Sequence, residues 1–176
     1  TVKLNGDIFA TKEGTINLGL STKDSYLKGI IDNGGTANVT LKNGATWTNV
    51  ANNDRYYQDN EDKGSNGRSH VTLLTGGASF DDAGTIIQKA NSDLLYIDNL
   101  SGAVKVNYDC DVQDATLNNG VTIDSAAEGS QIALITKNKG IDTGDQATID
   151  AVLNALANKL YYTAYADCST ISTHAE

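Results

Sequence analysis

Short runs of aliphatic, β-branched and aromatic residues recur along almost the whole chain, and glycine or asparagine separates one run from the next. Runs of this length and composition predict β-strands. The glycine and asparagine residues between them tolerate a positive φ and therefore predict tight turns. The strands predicted in this way are Thr15–Leu20, Tyr26–Ile31, Ala37–Leu41, Ala45–Val50, His70–Leu74, Thr85–Gln88, Leu94–Ile97, Ala103–Tyr108, Val121–Ile123 and Gln131–Thr136.

Several of these runs alternate between apolar and polar residues. In the run that ends at Leu41, the side chains of Val39 and Leu41 are expected on one face and that of Thr40 on the other. One face of each strand is therefore predicted to be buried and the other to be wet. Many short strands at close spacing are typical of a sandwich, a barrel or a solenoid.

Two segments have similar sequences, and this internal similarity favours the solenoid. Residues 39–45 read VTLKNGA and residues 71–78 read VTLLTGGA, while the chain contains no proline. One coil of a solenoid cannot bury its own apolar face, so stacked coils must share one linear core. We therefore expect a single all-β solenoid unit that spans residues 1–176.

Residues 145–160 depart from the β pattern. Their apolar residues recur at intervals of three and four, which predicts one stripe of an α-helix, and Thr143 or Asp145 can cap its start. The stripe consists of Ile149, Val152, Leu153, Leu156 and Leu160. We expect this helix to be inserted between two coils, with its stripe covering an apolar surface.

A long polar stretch, residues 51–68, predicts a loop that protrudes from the stack, and loops of this length are often functional. It carries Tyr56 and Tyr57, which are candidates for ligand contact because exposed aromatic side chains anchor interfaces. Trp47 is a third candidate, although its position in a predicted strand favours inward packing.

The formal net charge of −9 and the isoelectric point near 4.5 disfavour nucleic acid and anionic membrane surfaces as partners. No stretch approaches the roughly 18 apolar residues of a membrane-spanning helix. The N-terminus lacks the basic and apolar regions of a signal peptide. A mature or excised part of a larger protein fits these features.

The chain offers little for catalysis or for metal binding. Its two histidines, His70 and His174, lack the setting of a nucleophilic triad. Its acidic clusters, Asp81-Asp82, Asp109 with Asp111, and Asp59 with Glu61-Asp62, are typical of solvated turns and do not match a calcium loop. The prediction is therefore no catalytic residue, no metal and no cofactor.

Two cysteines, Cys110 and Cys168, are separated by 58 positions (168 − 110). No second type of metal ligand clusters near either one, which argues against zinc. They form a disulfide if the fold brings them together, or they remain two free thiols. Both alternatives stay open at this stage.

An ordered set of motifs resembles passenger segments of large bacterial autotransporters. The motifs are GDIFATKEGTI (6–16), VTLKNGATW (39–47), SHVTLLTGG (69–77), AGTIIQK (83–89), IDNLSG (97–102) and LANKLYYTAY (156–165). The resemblance implies a right-handed parallel β-helix at the surface of a Gram-negative-type cell. It implies no shared catalytic residues, and membrane association only through a C-terminal translocator that this sequence does not include.

These observations lead to an expected function and two alternatives. The expectation is an extracellular, non-enzymatic stalk or adhesin that mediates attachment or aggregation through host or bacterial surface glycans or proteins, or through self-association. The first alternative is a polysaccharide-processing β-helix enzyme. The second is a fibre subunit that stacks end to end through its open coils.

Overall fold

The computed structural model of the protein describes residues 1–52, 69–136, 144–162 and 172–175. These residues form short strands and one helix. The strands are β1 (Lys3–Asn5), β2 (Ile8–Ala10), β3 (Thr15–Leu20), β4 (Tyr26–Lys28), β5 (Ile31–Asn33), β6 (Thr36–Leu41), β7 (Thr46–Thr48), β8 (Ser69–Thr75), β9 (Gly84–Lys89), β10 (Leu95–Ser101), β11 (Ala103–Asp109), β12 (Val121–Ala126), β13 (Gln131–Thr136), β14 (Leu160–Tyr162) and β15 (Ser172–Ala175). The helix α1 spans Gln146–Ala157.

The strands form three sheets in which every strand pair is parallel. The seven-stranded sheet has the order β1-β4-β7-β9-β11-β13-β15, the six-stranded sheet has the order β14-β12-β10-β8-β6-β3, and β2 pairs with β5. From β6 onwards the chain therefore passes alternately through the two large sheets. The predicted all-β class with parallel sheets and one helix is confirmed.

The first part of the chain reaches the six-stranded sheet through two separate strands, whereas later parts reach it through one longer strand. The short strand β5 lies against the start of β8, where the Ile31 amide donates to Ser69 Oγ over 3.2 Å. The following strand β6 pairs with the end of β8. Each of β8 and β10 thus covers alone the length that two short strands cover earlier. Both have two consecutive residues that are not buried, Thr72 and Leu73 in β8 and Asp98 and Asn99 in β10, so the alternation of buried and outward side chains shifts by one residue there.

Tight turns connect the six-stranded sheet back to the seven-stranded sheet. Asn43 and Gly44 both have a positive φ, as predicted for this pair. Gly102 alone joins β10 to β11 and adopts a φ of +82°, which side-chain-bearing residues rarely adopt. A Cβ at Gly76 would lie 2.1 Å from the Ala103 carbonyl oxygen, so this position also requires glycine.

An uninterrupted line of apolar side chains runs through the seven-stranded sheet. The strand registers align one residue from each of five successive strands, and all five are buried. We call these residues the aliphatic column, although one of them is a tryptophan: Leu27, Trp47, Ile86, Val106 and Leu134. The inner face of the six-stranded sheet packs against it in a single hydrophobic core.

A second line of side chains is polar, buried except for the half-buried lysine at its end, and follows the corner where the chain leaves the seven-stranded sheet. Asn49 Nδ2 donates to Gln88 Oε1 over 2.8 Å, and Ser69 Oγ donates to Asn49 Oδ1. Lys159 Nζ donates to Asn119 Oδ1 over 2.8 Å, while Gln88 Nε2 donates to the Asn119 carbonyl over 2.9 Å. We call Ser69, Asn49, Gln88, Asn119 and Lys159 the polar row.

The predicted helix is present, but it is shorter than expected. Asp145 caps its start and accepts a hydrogen bond from the Ala147 amide, while Asn158 forms the C-cap. Val152 and Leu156 are buried in the core, whereas Leu153 is exposed. Leu160 does not belong to the helix, because it opens β14 and pairs with Val121. The predicted loop 51–68 falls, from residue 53 onwards, outside the described residues.

Candidate functional site

Of the aromatic residues that the sequence singles out, Trp47 has no exposed surface. Its indole N–H donates to the Gly29 carbonyl over 2.8 Å. It is therefore a core residue and cannot stack against a ligand at the surface, which confirms the expectation of inward packing. Tyr56 and Tyr57 lie outside the described residues, so their role in ligand contact stays a prediction.

The two cysteines are placed only in part. Cys110 carries a free thiol in this structure, and its sulfur accepts a hydrogen bond from Asn119 Nδ2 over 3.4 Å. Cys168 lies outside the described residues. A Cys110–Cys168 bridge stays a prediction.

The acidic clusters that the structure describes are local turn elements. The carboxylate of Asp82 accepts hydrogen bonds from the amides of Ser79 and Ala78. These bonds hold its pKa below its ordinary value. Asp109 forms an ion pair with Lys89 at 3.4 Å. The cluster around Asp59 lies outside the part of the chain that the structure describes.

A row of outward side chains on the six-stranded sheet forms the strongest candidate site. His70, Tyr96 and Thr122 are register partners on β8, β10 and β12, and Thr122 is the partner of Tyr161 on β14. Neighbouring strands lie about 4.8 Å apart, so the two tyrosines start about 10 Å from each other on one face. Tyr161 is 66% exposed, the largest value among the exposed hydrophobic residues in the described segments.

Two carboxylates lie in the next outward row and fix the aromatic side chains. Asp98 Oδ1 lies 2.8 Å from His70 Nε2, and the Tyr96 hydroxyl donates to Asp124 Oδ1 over 3.1 Å. The rings of His70 and Tyr96 meet edge to face at 5.7 Å between their centroids. We call these residues, with Thr122 and Tyr161, the tyrosine face.

A shallow depression of about 190 Å³ borders the tyrosine face. Its lining includes Leu94, Thr122, Lys159 and Tyr161. Ligand pockets that enclose a small molecule usually measure about 300–1,000 Å³. The depression is smaller than that and open, so this region suits a ligand that lies along the surface and inserts one group.

The tyrosine face contains residues that the sequence interpretation did not select. It assigned His70 no catalytic setting and did not consider Tyr96, Asp98 or Asp124 as a set. The signal is a constant offset of 26 residues, from His70 to Tyr96 (96 − 70) and from Asp98 to Asp124 (124 − 98). This offset holds only in the middle of the chain, so the sequence as a whole shows no fixed repeat period that would reveal it.

Two further observations concern the described segments only. No group of three or more His, Cys, Asp or Glu side chains within them could hold a metal ion. No helix within them has the length and hydropathy that crossing a membrane requires. Comparison with known proteins finds no matching family model, no matching curated protein and no matching solved structure.

Proposed function

We propose that this chain is a right-handed parallel β-helix segment of the autotransporter passenger type. The alternation of strands between two parallel sheets supports the helix, because each strand then stacks on its equivalent in the next pass. The aliphatic column supplies the linear core that such stacking needs. Crossover connections between parallel strands of one sheet are right-handed in nearly all proteins, which supports the handedness.

In this proposal the protein is an extracellular, non-enzymatic adhesive stalk at a bacterial cell surface. The parallel sheets form the rigid body, and the outward rows of the six-stranded sheet form the recognition surface. The observation that carries the proposal is the alignment of Tyr96 and Tyr161 on one face, with carboxylates beside them. Attachment would arise from many modest contacts that multivalent display strengthens.

A neutral glycan fits the tyrosine face better than an anionic ligand does. Tyrosine offers an apolar ring that can pack against the apolar face of a sugar, together with a polar end. Asp98 and Asp124 can accept hydrogen bonds from sugar hydroxyls. The same carboxylates, in a chain of net charge −9, repel sulfated or sialylated glycans.

A glycan array followed by calorimetry tests this proposal. Tyr161→Ala removes an exposed ring, so we expect it to abolish binding of the captured glycan while the melting temperature stays unchanged. Tyr161→Phe keeps the ring and should retain most of the affinity. Tyr26→Ala is the matched control, because Tyr26 lies on the seven-stranded sheet, away from the tyrosine face, with the Lys28 ammonium over its ring. Binding that survives Tyr161→Ala, or an array without any binding, contradicts the glycan-binding role.

The register of Asp98 and Asp124 gives the alternative, a polysaccharide-processing enzyme, one supporting observation. Both residues lie between the aligned pairs Ile97–Ile123 and Asn99–Ser125 on neighbouring strands. Two carboxyl groups about 5 Å apart are the arrangement of a retaining glycosidase. Release of reducing ends from bound glycan, abolished by Asp98→Asn or by Asp124→Asn, would establish this alternative. Binding without release supports the adhesin.

A further inference from the structure

A second, larger depression lies next to the one that borders the tyrosine face. It measures about 330 Å³ and lies between the connection that precedes β12 and the C-terminal end of α1. Leu117, Asn158 and Lys159 line both depressions, so the two form one groove that leads from Tyr161 to the side of α1. We call it the lateral groove, because its lining comes from the connections into β10, β12 and β14 and follows the side of the six-stranded sheet where these strands begin.

Two successive turns build one wall of the lateral groove. The Asp111 carboxylate accepts a hydrogen bond from the Gln113 amide over 3.0 Å in the first turn. The Asp114 carboxylate accepts from the Thr116 amide over 2.9 Å and from the Thr116 hydroxyl over 2.6 Å in the second turn. Aspartate side chains that bond to the backbone two residues ahead stabilise turns. The protein's own hydrogen bonds therefore hold this wall in place.

The floor of the lateral groove is apolar. Val112 is buried in the hydrophobic core, and Ala155 packs against that core from α1. Leu117, which also lines the groove, is half-buried. Because Ala155 carries only a methyl group, the space beside the helix stays open.

Polar groups with unused hydrogen-bonding capacity line the groove above this floor. Lys159 Nζ donates to the Leu117 carbonyl and to Asn119 Oδ1. An ammonium group has three N–H donors, so one remains for a ligand. The side-chain amides of Gln113 and Asn158 are exposed and make no hydrogen bond to another residue in the described segments.

The charges along the lateral groove balance each other. Hydrogen bonds from Thr116, together with the charge of Lys159, hold the pKa of Asp114 below its ordinary value. Asp114 is therefore a carboxylate at neutral pH, and the ammonium of Lys159 offsets its charge. A neutral ligand with hydroxyl groups and an apolar face suits this lining better than an anion or a cation does.

We propose that the lateral groove is a second subsite for the glycan, so that the protein binds an extended neutral oligosaccharide along the groove. This inference rests on the proposed glycan-binding role of the tyrosine face. One sugar unit packs against Tyr161, and the following units pass Lys159 and enter the depression beside α1. That depression, at about 330 Å³, falls within the size range of pockets that enclose a small molecule.

Calorimetry with a length series of one glycan tests the proposal. The probe is the neutral glycan captured by the array, prepared as oligosaccharides from one sugar unit upwards. We expect the affinity to rise by about tenfold or more once the oligosaccharide reaches α1, and then to level off. Ala155→Leu fills part of the depression and should abolish this gain, while the shortest oligosaccharide that binds keeps its affinity. Ala151→Leu, at an exposed position of the same helix, is the matched control.

A second pair of variants removes one amide each and leaves the core unchanged. Asn158→Ala deletes an amide that lines both depressions, whereas Asn154→Ala deletes an exposed amide of the same helix that lines neither. We expect Asn158→Ala to weaken binding of the long oligosaccharide by about threefold or more. Asn154→Ala should bind it like the parent.

The outcomes separate the lateral groove from the tyrosine face. Equal affinity for short and long oligosaccharides, or a gain with length that survives both Ala155→Leu and Asn158→Ala, would overturn the groove and leave the tyrosine face in place. Binding of long oligosaccharides that depends on Ala155 but not on Tyr161 would support the groove and contradict the role of the tyrosine face. No binding at any length would overturn both.

Discussion

The aliphatic column and the polar row run side by side across the same parallel strands, yet different interactions stabilise them. The column consists of side chains that need only match in volume, because dispersion and burial are not directional. Each member of the polar row instead needs specific partners at specific atoms, because an unpaired buried polar group costs about 1–3 kcal/mol. Ile86 and Gln88, which lie two residues apart on the buried face of β9, belong to the two different lines.

The difference follows from the lengths of the connections at the two corners. On the side of the aliphatic column, strands pair regularly and satisfy one another's backbone groups. At the other corner the chain leaves the sheet for connections of unequal length, and some carbonyl groups have no ladder partner. Side-chain amides supply it: Gln88 Nε2 donates to the Asp93 carbonyl and Asn119 Nδ2 to the Lys89 carbonyl, each over 2.9 Å. The polar row thus permits insertions that the column would not tolerate.

Removal of the largest side chain of the aliphatic column should have the largest effect. Trp47 is fully buried, so Trp47→Ala leaves a large cavity and should lower the free energy of unfolding by about 3–5 kcal/mol. Urea denaturation monitored by circular dichroism measures the change. Trp47→Phe refills most of the volume and should restore more than half of the loss. If both variants lose the same amount, the hydrogen bond to Gly29 matters more than packing does.

Substitution by leucine at position 86 and at position 88 allows a direct comparison of the aliphatic column with the polar row, since both positions are fully buried on β9. Ile86→Leu conserves volume and chemistry and should cost less than about 1.5 kcal/mol. Gln88→Leu removes the side-chain donor to the Asn119 carbonyl, one donor to the Asp93 carbonyl and the acceptor of Asn49 Nδ2, and should cost about 2–3 kcal/mol. Equal losses in urea denaturation would show that the polar row is packed like the column and does not depend on its hydrogen bonds.

Much of the fold could be predicted from residue pattern alone. The bounds of β3 and β13 agree with the runs Thr15–Leu20 and Gln131–Thr136, because alternation and turn residues are local signals. The turn at Asn43-Gly44 follows from the same chemistry. The predicted run Tyr26–Ile31 is wrong as one strand. The chain breaks into β4 and β5 at Gly29, where an added Cβ would lie 2.0 Å from the Gly6 carbonyl oxygen.

The candidate site could not be predicted in the same way, because it depends on register. Tyr96 and Tyr161 are 65 positions apart (161 − 96), and a 12-residue helix lies within that interval. Only the pairing of β10, β12 and β14 brings them to one face. The polar row was missed for the same reason, since Asn49, Gln88 and Asn119 each resemble an ordinary turn or surface residue in the sequence.

At the end of the polar row, Lys159→Met should have an intermediate effect. The substitution keeps the length of the side chain but removes the ammonium group that donates to Asn119 Oδ1 and to the Leu117 carbonyl. We expect a loss of about 1–1.5 kcal/mol in urea denaturation, less than for Gln88→Leu because Lys159 is only partly buried. Lys105→Met, on the outer face, should change stability by less than about 0.5 kcal/mol. Similar losses of stability for Lys159→Met and Lys105→Met would show that the hydrogen bonds of Lys159 do not stabilise the fold, and Lys159 would then not belong to the polar row.

Tyr108 has a buried apolar ring, as in the aliphatic column, and a buried polar group, as in the polar row. Its substitution should have the smallest effect on the free energy of unfolding, and that effect should be a gain. Its ring is buried, and its hydroxyl has no hydrogen-bond partner among the described residues. Tyr108→Phe should therefore raise the free energy of unfolding by about 1 kcal/mol.

Burial also raises the pKa of Tyr108 well above its ordinary value of 10.0. As the pH rises past 10 the unfolded chain ionises while the folded chain does not, so the advantage of the phenylalanine variant should grow. Urea denaturation at pH 7 and pH 10.5, with Tyr161→Phe as the exposed control, measures both effects. A clear loss of stability in Tyr108→Phe would mean that the hydroxyl is bonded, and would extend the polar row into β11.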